Sequence, residues 1–152
     1  MTVEQKLAEL GLSLPPAPAP VANYVPYVFS GNHLYISGQI SQGADGLIVG
    51  KVGQDMDTAA GALAAQACGL SILAQAKEAL GGDLSRVTRV VKLTALVNSV
   101  PEFTEQPEVI NGASNLMAAV FGEKGRHART AVSTPALPRG VAVEIDAVLE
   151  IA

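Results

Sequence analysis

The segment that most limits how this chain can fold is VAVEIDAVLEI, residues 141–151. Val141, Val143, Ile145, Ala147, Leu149 and Ile151 form one uninterrupted apolar face, opposite Ala142, Glu144, Asp146 and Val148. A period of two sustained this long is a β-strand with one side against a core. A second alternation, Val87, Val91, Leu93, Ala95 and Val97, has Arg89 as its exception and Val90 and Leu96 on its other face. Partial cover on both faces suits a central strand.

Two helical patterns surround these strands. From about Asp55 to Leu80, Leu63, Ala67, Leu70 and Ala74 mark one face, whose small residues allow close approach to a sheet. Asp55 or Asp57 can accept from the free amides at its start, and Gly81-Gly82 ends it. A loop framed by Pro101 and Pro107 leads to a second helix from about Val109 to Phe121, which stops at Gly122. Upstream, YVPYVFSGNHLYISGQIS predicts a hairpin around Ser30-Gly31-Asn32. Pro26 confines its first run to an edge or an irregular start, and Gly38 marks a close approach by backbone or ligand. QGADGLIVGKVGQD reads as turns around a short strand. At the start, Val3, Leu7 and Leu10 predict a short amphipathic helix, and alternating proline from Pro15 to Pro20 predicts an extended strap. Residues 1–20 thus form an appendage on a single domain of residues 21–152. The closing segment reads as two strands joined at Leu137-Pro138-Arg139-Gly140.

The order strand, strand, helix, strand, helix, strand, strand predicts an α+β fold: a mixed β-sheet with two helices packed on one face. The other sheet face is then left for a second copy, which suits a chain with 49% hydrophobic and only 16% charged residues. A net charge of −4 argues against general nucleic-acid binding. Cys68 is the single cysteine, so no intrachain disulfide forms; it reads as a small buried hydrophobe and fits a reducing compartment. MTVEQKLAELGL is not a secretory signal, and Ala59 to Ala76, interrupted by Gln66, Ser71 and Gln75, reads as a buried helix rather than a span. The expected location is cytoplasmic, with no membrane partner.

The chain has no HExxH, CxxC pair, P-loop or GxSxG, and His33 and His127 are not at metal spacing, so no metal is expected. Ser37 reads as a strand-end serine or a pocket liner. Arg126, His127 and Arg129 crowd the start of a strand in an acidic protein; the first two read as solvated loop residues. If Pro138 and Arg139 are the central turn residues, Arg129 shares a face with Ala142, Glu144, Asp146 and Val148. A guanidinium there can grip a carboxylate bidentately while a nearby carboxylate activates water. A plain salt bridge from Arg129 to Glu144 or Asp146 is the competing reading. In that register Glu144 faces Ser133, about 13 Å along the strand from Arg129. A bulge near Pro135, a bound substrate or a second subunit would close the gap.

ARTAVSTPALPRGVAVEIDA, with YV, SGN and ISGQIS upstream, resembles the YjgF/Rid family, the reactive-intermediate deaminases or L-PSP endoribonuclease-like proteins, over Tyr24 to Ile151. Arg129, Leu137-Pro138 and Glu144 stand at the family's spacing. The resemblance implies a chorismate-mutase-like fold and a homotrimer with three intersubunit clefts. It also implies hydrolysis of small 2-imino or 2-amino-enoic acids to 2-oxo acids and ammonia, with neither metal nor cofactor. By the same resemblance Arg129 grips the substrate carboxylate, Glu144 orients or activates water, and Tyr24, Ser37 and Gly38 line the cleft. Asn111 or Asn115 matches the family's helix asparagine, and Ala131 replaces a cysteine that many members carry. The N-terminal helix and strap, NGASNL and GRHAR resemble a longer subgroup. The implied partner is a small carboxylate-bearing metabolite. A non-catalytic binder of such a metabolite is the alternative, and an endoribonuclease the weaker one, given net acidity and three Tyr, three Phe and no Trp.

Overall fold

The computed structural model describes residues 1–20 and 22–152; the expected domain boundary at residue 21 lies outside the described residues. Five strands form one mixed sheet: β1 (Tyr27–Ser30), β2 (His33–Ile40), β5 (Val87–Asn98), β6 (Ala128–Thr134) and β7 (Val143–Ile151), in the spatial order β1-β2-β7-β5-β6. β3 (Gln42–Gly43) and β4 (Gly46–Leu47) make a separate small ladder. Helices α2 (Thr58–Ala79) and α3 (Gln106–Phe121) cover one face of the main sheet, as the element order predicts.

The β1–β2 hairpin forms as expected, with Ser30 opposite His33. The closing hairpin does not. β6 and β7 do not pair; β6 runs parallel to β5 at the sheet edge, and β7 inserts between β2 and β5, antiparallel to both. The physical reason lies in side-chain content. β7 buries Val143, Ile145, Ala147, Leu149 and Ile151 against the helices, so a central position gains most from it. β6 carries Thr130, Ser133 and Thr134 and tolerates an edge. The β5–α3–β6 unit is the parallel crossover that results.

Two further expectations shift. Register irregularities between Val87 and Arg89 and between Val90 and Lys92 turn Val90 into the core and Val91 outward, so the simple alternation of β5 is broken. The inner face of α2 carries Ala64, Ala65, Cys68, Ile72, Leu73 and Ala76, whereas Leu63 is 66% exposed. A helix of alanines and glycines carries apolar residues all round, so its period does not fix its rotation. Its length and apolarity would suffice to cross a membrane, but 61% of its most apolar window is buried within the domain, as in a core helix.

Asp57 caps α2 by accepting from Ala60 N at 2.8 Å. Small residues bring α2 against α3: a Cβ at Gly112 would overlap the Ala62 carbonyl. α1 (Val3–Glu9) starts in a capping box between Thr2 and Gln5. Its Val3 and Leu7 join the main core, and Glu4 meets Lys77 of α2 at 3.1 Å. The N-terminal segment is outside the sheet, as expected, yet is welded to the same core.

Candidate functional site

The two residues expected to do the chemistry stand on opposite faces of the sheet. Arg129 sits beside Leu93 in β5 and projects toward α3. Glu144 lies level with Leu96 on the face the helices leave open. The shared face expected for Arg129, Glu144 and Asp146 is therefore corrected, and neither carboxylate forms an ion pair with Arg129 among the described residues. The cause is the missing hairpin: β5 separates the two strands by about 10 Å.

Around Arg129, α3 supplies partners on one helical face. Nη1 donates to Asn111 Oδ1 at 2.9 Å and to Ser114 Oγ at 3.1 Å, and Nη2 donates to the Pro107 carbonyl at 3.3 Å. Positions i, i+4 and i+7 of a helix converge this way. Nε and the second Nη2 proton have no acceptor among the described residues, which leaves the edge that binds a carboxylate side-on. Asn111 is thus the asparagine that holds the arginine. Asn115, one turn further, is exposed and makes no such bond.

His127 extends the network and is not the solvated loop residue expected. Its Nδ1 donates to the Gly125 carbonyl at 2.7 Å, leaving Nε2 to accept from Ser114 Oγ at 2.9 Å. Burial lowers the pKa of the imidazole, the Gly125 bond opposes that, and the Arg129 charge adds to the lowering. A neutral ring suits a chain running from Arg129 through Ser114 and His127 to the backbone. Ser114 was legible only as the residue three beyond Asn111 in NGASN. Arg126 stays exposed, 3.6 Å from Glu123, and its carbonyl accepts from Arg89. Ala131 follows on β6, beside Ala95 and partly buried.

Around Glu144, the sheet bulges. The β2–β7 register shifts between Ile36 and Gln39, so Ser37 and Gly38 bulge from the ladder. Lacking a side chain, Gly38 lets the carboxylate lie against the backbone: an added Cβ would stand 2.6 Å from Glu144 Oε2. Burial, and to a lesser degree Asp146, raises the Glu144 carboxyl above the ordinary range. Ser37 does not line this space; its Oγ donates to the Val25 carbonyl at 2.8 Å and ties down the segment that carries Tyr24. Tyr24, Gly38 and Glu144 do share one cleft of about 630 Å³, together with Gln42 and Arg139. Arg139 occupies a left-handed turn position, at φ 57°, in the Pro-Arg-Gly segment. No group of His, Cys, Asp and Glu among the described residues is arranged to hold a metal.

Comparison with known proteins shows the same fold in relatives of this chain. Residues 4–148 match the family model described as YjgF/chorismate mutase-like, putative endoribonuclease. The chain is 50% identical to Protein TCP17 of Trypanosoma cruzi over 151 residues, covering 98% of this chain and 94% of that one. It superposes on the protein Atu1372 of unknown function from Agrobacterium tumefaciens with a TM-score of 0.93 at 53% identity, covering 99% of this chain and 94% of that one. A putative endoribonuclease from Shewanella oneidensis gives 0.95 at 33% identity over 99% of this chain and all of the other. Cover of 99% includes the N-terminal helix, so that element is shared rather than peculiar to this chain.

Proposed function

The chain belongs to the YjgF/chorismate mutase-like, putative endoribonuclease family, and from that premise we propose that it hydrolyses small 2-imino and 2-enamino acids to 2-oxo acids and ammonia in a cleft between subunits. The observation that carries this reading is the split between Arg129 and Glu144. One offers an unfilled carboxylate-binding edge, the other a desolvated carboxyl, and a second copy brings the two together. The homotrimer that the family resemblance implies provides such a partner, seated on the open sheet face where Tyr35 and Val132 remain exposed.

The chemistry asks little of the protein. A 2-enamino acid first takes a proton from solvent at C3 and so becomes the imine. The imine carbon is electrophilic, so water adds to C2, the nitrogen is protonated, and ammonia leaves as the new hydroxyl gives up its proton and the carbonyl forms. Arg129 holds the substrate carboxylate in plane through two N–H bonds. Ionised Glu144 takes a proton from the attacking water and returns it to the departing nitrogen, work for which a raised pKa is an advantage. Orientation supplies the rest of the barrier reduction.

The test is turnover of 2-iminobutyrate generated in situ, followed as 2-oxobutyrate release. Arg129→Ala and Glu144→Gln are each expected to fall to the background rate. Mixing the two inactive variants and reassembling them should restore about a quarter of wild-type sites, because half the interfaces keep Arg129 and half of those keep Glu144. Background turnover by wild type with retained 2-oxo acid binding would replace this reading with that of a carboxylate binder. Turnover without restoration on mixing would place both groups in one chain.

A further inference from the structure

The proline-rich segment before the sheet is built into the Glu144 cleft. Pro18, Ala19 and Pro20 line it, and Pro26, Ile40, Leu47 and Pro138 add further apolar lining. The segment is anchored up to Pro18. Leu12 and Leu14 pack on the core. The Pro18 carbonyl accepts from Gln75 Nε2 at 2.6 Å, and Gln75, on α2, is only 1% exposed. Upstream, α1 is locked by Val3 and Leu7. Proline adds stiffness of its own, since its ring removes backbone freedom that a bound state would otherwise have to lose.

We propose that residues 18–20 are a specificity element that selects substrates with a branched or aromatic hydrocarbon side chain over three-carbon ones. This rests on the deaminase reading and names its substrate class. Two features carry it. A cleft of about 630 Å³ falls within the roughly 300–1,000 Å³ of pockets that enclose ligands well beyond three carbons. And Pro18 and Pro20 have no N–H, so this wall offers no backbone donor at those positions to a hydroxyl or carboxylate, which would lose water without replacement. A hydrocarbon loses nothing there and gains burial. Arg139, at the rim and exposed, supplies the contrary possibility, a second carboxylate, and sets the control.

The experiment measures equilibrium binding of 2-oxo acids to the full-length protein by calorimetry, independently of turnover. Wild type should bind 4-methyl-2-oxopentanoate at least about tenfold more tightly than pyruvate, the discrimination that added apolar groups give in a hydrophobic pocket. Replacing Pro18, Ala19 and Pro20 together by glycine should bring that ratio within about twofold, with the cooperative melt retained as a check on folding. Ala19→Phe, which narrows the cleft, should invert the preference. An unchanged ratio in the glycine variant, or tighter binding of 2-oxoglutarate than of 4-methyl-2-oxopentanoate, overturns the proposal. Selective binding that depends on the strap but comes without imine turnover retains the strap's role and removes only the deaminase reading. Failure of every 2-oxo acid to bind overturns both.

Discussion

Gly38→Ala tests whether the position of the Glu144 carboxylate matters. Gly38 is not at positive φ, so alanine brings no backbone strain. The new Cβ would stand 2.6 Å from Glu144 Oε2, 3.1 Å from Cδ and 3.3 Å from Cγ. Carbon–oxygen contacts settle near about 3.3 Å, so the carboxylate must retreat by about 0.7 Å. Misplacing a reacting group by about 1 Å costs roughly a hundredfold, which makes a loss of roughly 10–50-fold in kcat/KM the expected result, about 1.4–2.3 kcal/mol of transition-state stabilisation. The melting temperature should barely move, because the displaced group faces an open cleft. Gly43→Ala, with nothing within 4 Å of its new Cβ, is the control and should match wild type. Steady-state release of 2-oxobutyrate gives the rate, and ¹³C titration of the Glu144 carboxyl gives its environment, which should move toward the ordinary range as the group leaves its desolvated seat. Activity within about twofold of wild type, with the titration unchanged, would refute the claim that this contact sets the catalytic geometry.

Gly112→Ala should destabilise the protein: its Cβ overlaps the Ala62 backbone carbonyl, an overpacking cost of about 3 kcal/mol against a helix-propensity gain of about 1. A net loss near 2 kcal/mol lowers Tm by about 4–8 °C, whereas Gly69→Ala, which meets the movable Leu116 Cδ2 at 2.9 Å, should lose less by differential scanning calorimetry. Glu144 and Asp146 both have raised pKa values, so the folded state holds more protons than the unfolded one above about pH 4. That contribution favours folding at low pH and is lost as pH rises through the folded values; in Glu144→Gln the fall in Tm from pH 4 to 7 should be smaller than in wild type. Cys68 is fully buried and its thiol is pushed far up by desolvation, then by Glu144, so it should resist a thiolate-specific reagent until global unfolding, and labelling at the rate of a surface thiol would contradict that burial.

Much of this fold was legible in local pattern. The period of two in residues 141–151, the turn at Gly31-Asn32, the cap at Asp57 and the helix holding Val3 and Leu7 each depend on neighbours a few residues away, and each appears where the residues ask for it. The residue types at the candidate site, an arginine opening one strand and a glutamate on the next, were equally plain. What no local pattern held was the order of strands. A turn at Pro138-Arg139-Gly140 looks the same whether β7 folds back on β6 or passes over β5, and the choice rests on where its apolar face is best covered. That choice put Arg129 and Glu144 on opposite faces, gave Arg129 its partners Asn111 and Ser114, and drew His127 into their network. The rotation of α2 was likewise left open by its small residues and fixed by contact with α3 and the sheet. Sequence determined which segments are strands and helices, because their hydrogen bonds and turns are local; the tertiary structure decided which faces meet, because burial is shared among residues far apart in the chain.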